Sequence, residues 1–443
     1  MTVPLQEVTG DTVLPSRVDV AIVGGGIIGA SAAYFLARRG VSVALFEKGR
    51  IGAEQSGRNW GWCRVQNRDR REIPLVQHSM RLWDSLPAET GADLGFCRTG
   101  LIWVTRNPGD LAKWESWNRM AAEFQTGSRM LSPAEAREMT PGTEGDWIGG
   151  LYAPQDGRAE PAVATPALAA AARAAGAVLL QDCAVRGLLT TGGRVSGLVS
   201  ERGEVAAGAV LCASGVWASM FCRRHGINLP QAGVRSTIFI TEPAVEVTPG
   251  GLVMPELTIS RRPDGGYLVA ALNRARLEFT PQGLRYARAF LPMFRERRAS
   301  LALGVGRSAL SGPEAMHGKW RLDAPSPFER HRVYAPPPDT GIIAPALAQL
   351  GATLPALKGV KAANAWGSWI DSTPDAIPVI SPIARLPGFF LATGFSGHGF
   401  GIGPGAGRLA ADLVLGDAPI VDPAPFRYER LVDGSALTAP GMM

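Results

Sequence analysis

The chain has 443 residues, 46% apolar and 19% charged, with a formal charge of +6. That length suits about two or three domains and that composition can bury a large core, so wholesale disorder and fibrous classes are excluded. Only five basic residues are Lys (48, 113, 319, 358, 361), the rest are scattered Arg, and neither a basic stripe nor a reading motif for nucleic acid is present.

The N-terminus MTVPLQEVTGDTVLPSRVD has no basic start followed by an apolar run, so no secretory signal is expected. VDVAIVG (18–24) reads as a strand, the glycine cluster as a turn, ASAAYFLARRG as a helix ending at Gly40, and VSVALFE (41–47) as a second strand. Helices are expected at 74–89, 109–124 and 133–139. An Ala-rich helix at 164–176 opens a second α/β region, whose strands run to Gly215 through Gly turns. RSTIFITEP (235–243) and GYLVAAL (266–272) read as strands, 281–301 as an amphipathic helix, YAPPPDTG (334–341) as a connector and GRLAADLVLG (407–416) as a closing helix. No apolar stretch approaches the ~18 residues of a membrane span. Five Cys (63, 97, 183, 212, 222) form no CxxC pair, which argues against disulfides and metal and for a reducing, cytoplasmic setting.

Gly24-Gly25-Gly26-Ile27-Ile28-Gly29 satisfies G-x-G-x-x-G between a strand and a helix. The first Gly permits the tight turn, the second the approach of a pyrophosphate, the third close helix–strand packing. The helix N-terminus presents amides and a positive dipole end to phosphates. Glu47 ends the second strand where a carboxylate can accept ribose hydroxyls, which argues against a 2′-phosphate and hence NADP. The alternative is a structural glycine turn.

EKGRIGAEQSGRNWGWCR, following that strand, resembles the FAD-dependent amino-acid and amine oxidase family that includes D-amino acid oxidase, sarcosine oxidase and glycine oxidase. AVLCASGVWAS (209–219), TPDAIPVI (373–380) and GFFLATGFSGHGFGIGPGAGRLAADL (388–413) extend the resemblance in family order over nearly the whole chain. It implies an α/β fold: a Rossmann-like FAD-binding domain from discontinuous segments (1–90, 151–230, 340–443) plus a substrate domain with a mixed or antiparallel sheet (91–150, 231–339). It further implies non-covalent FAD held by Gly24, Gly26, Ile28, Gly29, Glu47, Lys48, by Ser56, Arg58, Asn59, Trp60 and Gly61, by Val185, Ser214, Gly215 and Trp217, and by Gly397, His398, Gly399, Phe400 and Gly401. Helix and loop amides near the pyrimidine ring would stabilise reduced flavin.

The implied reaction is oxidation of a C–N bond in an amino acid, N-substituted amino acid or amine, with hydride passing to flavin N5 and the imine hydrolysing. A 2-hydroxy-acid dehydrogenase, or a flavin subunit of a hetero-oligomeric amine dehydrogenase, remains an alternative. Electrons would leave to oxygen, a quinone or another protein, and a homo-oligomer or partner subunit is possible. The chain departs from the family at Ile370 and Asp371 where an Arg holds a carboxylate, at Gly401 where sarcosine oxidase has Lys, at Ser368 where it has the flavin-linking Cys, and near Leu268 or Val269, where an oxygen-activating Lys falls. Arg64, Arg68 and Arg235 therefore stand as candidates for the substrate carboxylate, Arg64 first as a cover for the ring. His398, Arg64 and Tyr267 are candidate catalytic groups. Trp60 and Trp366 (with Trp62 and Trp369) are candidate aromatic walls, and Asp371 a partner for a substrate ammonium. For each, a packing or loop-stabilising role is the alternative.

Overall fold

In the computed structural model, which describes residues 3–272, 274–315 and 319–437, the first apolar run becomes strand β1 (Arg17–Val23). Helix α1 (Ile27–Ala37) follows the glycine turn, and strand β2 (Val43–Phe46) lies parallel to β1, pairing from Val20↔Val43 to Val23↔Phe46. Every α1 residue is buried. Its small residues are the reason it can sit between layers: a Cβ on Gly407 would lie 2.4 Å from that of Ser31 and 2.8 Å from the Ala32 amide, so helix Gly403–Leu415 packs on α1 only with glycine there.

The sheet around β1 runs Val185–Thr191, Arg194–Ser200, Gly203–Cys212, β1, β2, Val178–Leu180. Phe389–Thr393 joins Gly203–Cys212 in parallel and Val379–Pro382 antiparallel. One sheet is thus assembled from three distant stretches, as the spread of motifs implied.

A second sheet of ten strands is mixed, mostly antiparallel. Ala232–Thr241 lies near its middle, with Tyr267–Ala271 beside it. Ala275–Glu278 also pairs with it through Arg235↔Arg276, and Ala362–Ser372 pairs with it antiparallel from Ala232↔Ser372 to Thr241↔Ala362. The boundary expected at 340 therefore shifts: residues 362–372 belong to the second sheet, and the chain re-enters the first at Val379. The run AANAWGSWIDS is apolar enough for either sheet, and its spacing carries no register. Helices Ile73–Thr90, Pro108–Ala122 and Pro133–Met139 form where expected, the last with a Ser132/Glu135 capping box. Among the described residues no helix is long and apolar enough to cross a membrane.

Candidate functional site

The glycine turn is shaped by contacts that admit no side chain. Gly24 has φ +109° and a Cβ there would meet Ala213 O at 2.5 Å; one on Gly29 would meet Gly24 O at 2.0 Å. Glu47 carries the turn: its Oε2 accepts from Gly25 N at 2.7 Å and its Oε1 from Gly49 N at 2.8 Å. Burial pushes its carboxyl up, against the opposing pull of Lys48. Ser56 Oγ accepts from Ile27 N at 2.9 Å, so the loop after β2 caps α1.

That loop is locked from within. Asn59 Nδ2 donates to Ser56 O at 2.7 Å and its Oδ1 accepts from Gly61 N at 2.7 Å. Buried Arg58 donates to Ala53 O at 2.8 Å and Gly367 O at 3.3 Å. Lys48 Nζ is committed to Glu54 and to the carbonyls of His331 and Arg332, and stands 4.6 Å from the Trp217 ring centre. Gln55, which sequence reasoning missed, bridges Asp371 Oδ1 (2.6 Å) and Val216 N (3.1 Å).

Beyond the loop, Trp60 and Trp62 meet edge to face, 4.9 Å between centres. Arg64 lies over Trp62 and Trp103, and Arg68 packs behind it with its Nε 3.4 Å from Arg64 O. Arg68 is buried, and its Nη1 has no hydrogen-bond partner among the described residues. His398, in the glycine loop, donates its own amide to Phe395 O and faces Glu72 across 3.4 Å, Nδ1 to Oε2. Burial, then the charges of Arg68, Arg64 and Arg297, hold the imidazole well below its usual range, hence neutral. Burial raises Glu72 to about 7 against the pull of Arg68. Glu72 was also missed; it reads in sequence as an ordinary acid at a helix start.

Together these elements wall one cavity of about 1620 Å³, open solvent at its mouth included. Gly24, Gly26, Ile28, Glu47, Val185, Ser214, Gly215 and Trp217 line it, with Trp60, Trp62, Arg64, Arg68, Ile238, Ile370 and Gly397–Phe400.

The family described as FAD dependent oxidoreductase (DAO) matches residues 19–413. The chain belongs to this family. As a DAO oxidoreductase it is 26% identical over 435 residues to a sarcosine oxidase subunit beta of Arthrobacter sp, covering 96% of this chain and 93% of that one. Human mitochondrial sarcosine dehydrogenase is 30% identical over 237 residues, 52% of this chain but only 26% of that protein, so the chain spans about a quarter of that relative's length. The structure of L-amino acid deaminase from Proteus myxofaciens, in complex with anthranilate, superposes with a TM-score of 0.92 at 27% identity over 97% of both chains.

FAD is the cofactor of the family, and the residues present fit it. The mouth of α1 is bare backbone, since a Cβ on Gly25 would strike Ile51 at 2.4 Å and one on Gly26 would reach Ser56 Oγ at 3.0 Å. Glu47 stands half-buried at the cavity wall. Among the described residues, Trp62 Nε1 and His398 Nδ1 are buried with no hydrogen-bond partner.

Several expected site residues lie elsewhere in this DAO-family fold. Tyr267 is fully buried in the second sheet's core, its hydroxyl bonded to Val247 N and Val245 O, away from the cavity. Arg235 is paired with Glu278 Oε1 at 2.5 Å and donates to Pro337 O, while its neighbour Ser236 lines the cavity. Trp366 packs on Ile238, Ile240 and Leu268 behind the wall. Leu268 and Val269 are buried and do not line the cavity.

Asp371 does line it, but Gln55 donates to its Oδ1 and Gln231 and Gly394 N donate to its Oδ2, so the carboxylate is already engaged in bracing the second sheet against the loop. Gly401 lies just outside, its carbonyl accepting from Ser79 and Trp83. A Cβ there would sit 2.8 Å from Cys63 Cα, so the position that carries Lys in sarcosine oxidase can carry no side chain here. The Thr373-Pro374-Asp375 segment is a structural latch: Asp375 pairs with Arg430 at 3.0 Å.

Proposed function

We propose that the protein oxidises the C–N bond of an amino acid or N-substituted amino acid that carries a bulky apolar or aromatic group, with non-covalently held FAD. The observation that carries this reading is the pairing, in one cavity, of a buried and a part-buried guanidinium group with large apolar walls. Arg64 and Arg68 supply the positive end, Arg68 with a donor unpartnered among the described residues; Trp60, Trp62, Ile238 and Ile370 supply the walls. A carboxylate brought to Arg68 gains a charge-assisted bond in a water-poor setting, and the apolar side group is desolvated against indole and branched aliphatic surface.

In this reading Glu47 would hold the adenosine ribose, the Gly24–Gly29 turn the pyrophosphate, and the Ser56–Gly61 and Gly397–Phe400 loops the ring. The bound flavin supplies the two-electron sink. The protein's share is to orient substrate, exclude water, and keep His398 neutral, so that its imidazole can accept or pass a proton at the cavity wall. A reducing compartment fits the five unpaired Cys, four of them buried.

Steady-state kinetics test the reading directly. Phenylalanine- or leucine-sized amino acids should exceed glycine, alanine and sarcosine in kcat/KM by at least ~10-fold, the worth of burying about one large side chain. A preference for glycine or sarcosine would overturn it. The absence of a covalent link is checked separately. Ser368 replaces the linking Cys, and Cys63, the nearest thiol in sequence to the ring-side loop, is wholly buried with burial pushing its thiol up. Acid precipitation should leave all the yellow colour in the supernatant; colour in the pellet would mean a bond.

A second reading, the flavin subunit of a larger assembly, draws on the near full-length match to a sarcosine oxidase subunit beta. Turnover by the purified chain with a dye acceptor favours a free-standing enzyme.

A further inference from the structure

Residues 275–310 form a strand–helix–strand unit at the free edge of the second sheet. Ala275–Glu278 and Leu301–Gly304 pair in parallel, and helix Pro281–Arg297 crosses between them. Among the described residues twelve large apolar side chains stand exposed, and six of them belong to this one stretch: Phe279, Leu284, Leu291, Leu303, Val305 and Leu310. Leu310 is 83% exposed, Val305 74% and Leu284 68%, values matched elsewhere among the described residues only by the isolated Val13, so what sets this stretch apart is their clustering. Leu284, Arg288, Leu291 and Arg295 fall at i, i+4, i+7 and i+11, one stripe of the helix.

The same stretch is strongly basic. Between 279 and 310 stand six Arg against one acid, Glu296. The acid just before it, Glu278, is buried and spent on Arg235 and Arg276. Long Arg side chains beside exposed leucines can reach a phosphate layer while the leucines enter the acyl boundary. A second copy of the chain would set Arg against Arg across a two-fold interface, so the charge argues against self-association.

We propose that this strand–helix–strand unit is a docking surface for an anionic lipid bilayer, laying helix Pro281–Arg297 and Leu303, Val305 and Leu310 on the headgroup region. Docking of this kind needs no membrane-spanning helix. The inference does not depend on the reaction, because binding is read without turnover.

The test is co-sedimentation of the holoenzyme with phosphatidylcholine vesicles, with and without phosphatidylglycerol. Wild type should partition at least ~10-fold more strongly to the anionic vesicles, and the difference should collapse between ~0.05 and ~0.5 M salt. Leu284→Ser with Leu310→Ser should lower partitioning at least ~10-fold at low salt. Arg288→Glu with Arg295→Glu should abolish the preference for anionic lipid. All four positions are exposed, and retained flavin colour with an unchanged Tm shows that the variants fold. Equal partitioning of wild type to both vesicle types, or variants that bind like wild type, would overturn the proposal. So would a dimer that needs Leu284 and Leu310 and ignores vesicles, which assigns the surface to a second copy.

Discussion

Replacing Arg68 by alanine should lower kcat/KM for the preferred amino acid about 10- to 100-fold, with most of the loss in KM. A hydrogen bond to a charged group is worth about 1.5–3 kcal/mol, and the carboxylate of this substrate class is ionised throughout the working range. Arg68 suits this role because its Nη1 is buried with no hydrogen-bond partner among the described residues, while its own carbonyl is fixed by Trp117 Nε1 at 2.8 Å. The main chain therefore stays in place when the guanidinium is removed. Flavin content should hold, since the glycine turn is braced by Glu47 and Ser56 and not by Arg68. Arg68→Lys should recover only part of the loss, because an ammonium cannot offer the two parallel donors of a guanidinium. An unchanged KM in Arg68→Ala would remove this residue from the substrate site and leave Arg64 alone.

Much of the cofactor side was legible because it is local. A strand, three glycines, a helix and an acid lie within one stretch of about 30 residues, and their spacing alone dictates the turn. Ser56 and Asn59 were legible for the same reason: each bonds within its own loop or to the neighbouring turn. The substrate side was not. Whether an Arg on a strand reaches a cavity depends on partners far along the chain, and Arg235 meets Glu278 and Pro337, both outside its motif. Asp371 sits in a family segment, yet Gln55 and Gln231 take its oxygens from other elements. Tyr267 alternates correctly on its strand, but the sheet turns that face to the core. Gly401 looked like a lost anchor and is a packing requirement. Glu72 had no signal, because nothing local distinguishes a helix-start acid in solvent from one buried against His398.

Glu72 yields the prediction with the largest pH dependence. Its carboxyl is buried among Arg64, Arg68, Asp69, Arg71 and His398, and desolvation outweighs the arginines, raising it from 4.5 to about 7. Below pH 4.5 the group is protonated in both folded and unfolded chains and contributes no difference. Between 4.5 and about 7 the unfolded carboxyl ionises while the folded one keeps its proton, so stability falls as pH rises. The accumulated cost is about 3 kcal/mol, constant above pH 7. Asp156, raised to about 6, and Glu314, raised to about 7, act in the same direction. Wild type alone cannot separate the three. Glu72→Gln can: its stability relative to wild type should climb by about 3 kcal/mol from pH 4.5 to pH 8, read by denaturant unfolding at fixed FAD. The same ionisation bears on substrate. A protonated Glu72 leaves the Arg64 and Arg68 charges to the incoming carboxylate; an ionised one competes for them. KM should therefore rise across pH 7 by roughly tenfold in wild type and stay nearly flat in Glu72→Gln. The substrate ammonium titrates identically for both enzymes, so the ratio of their KM values isolates Glu72. A ratio that does not move between pH 6 and 8 would mean that this carboxyl is ionised throughout and that the arginine pair is already neutralised before substrate arrives.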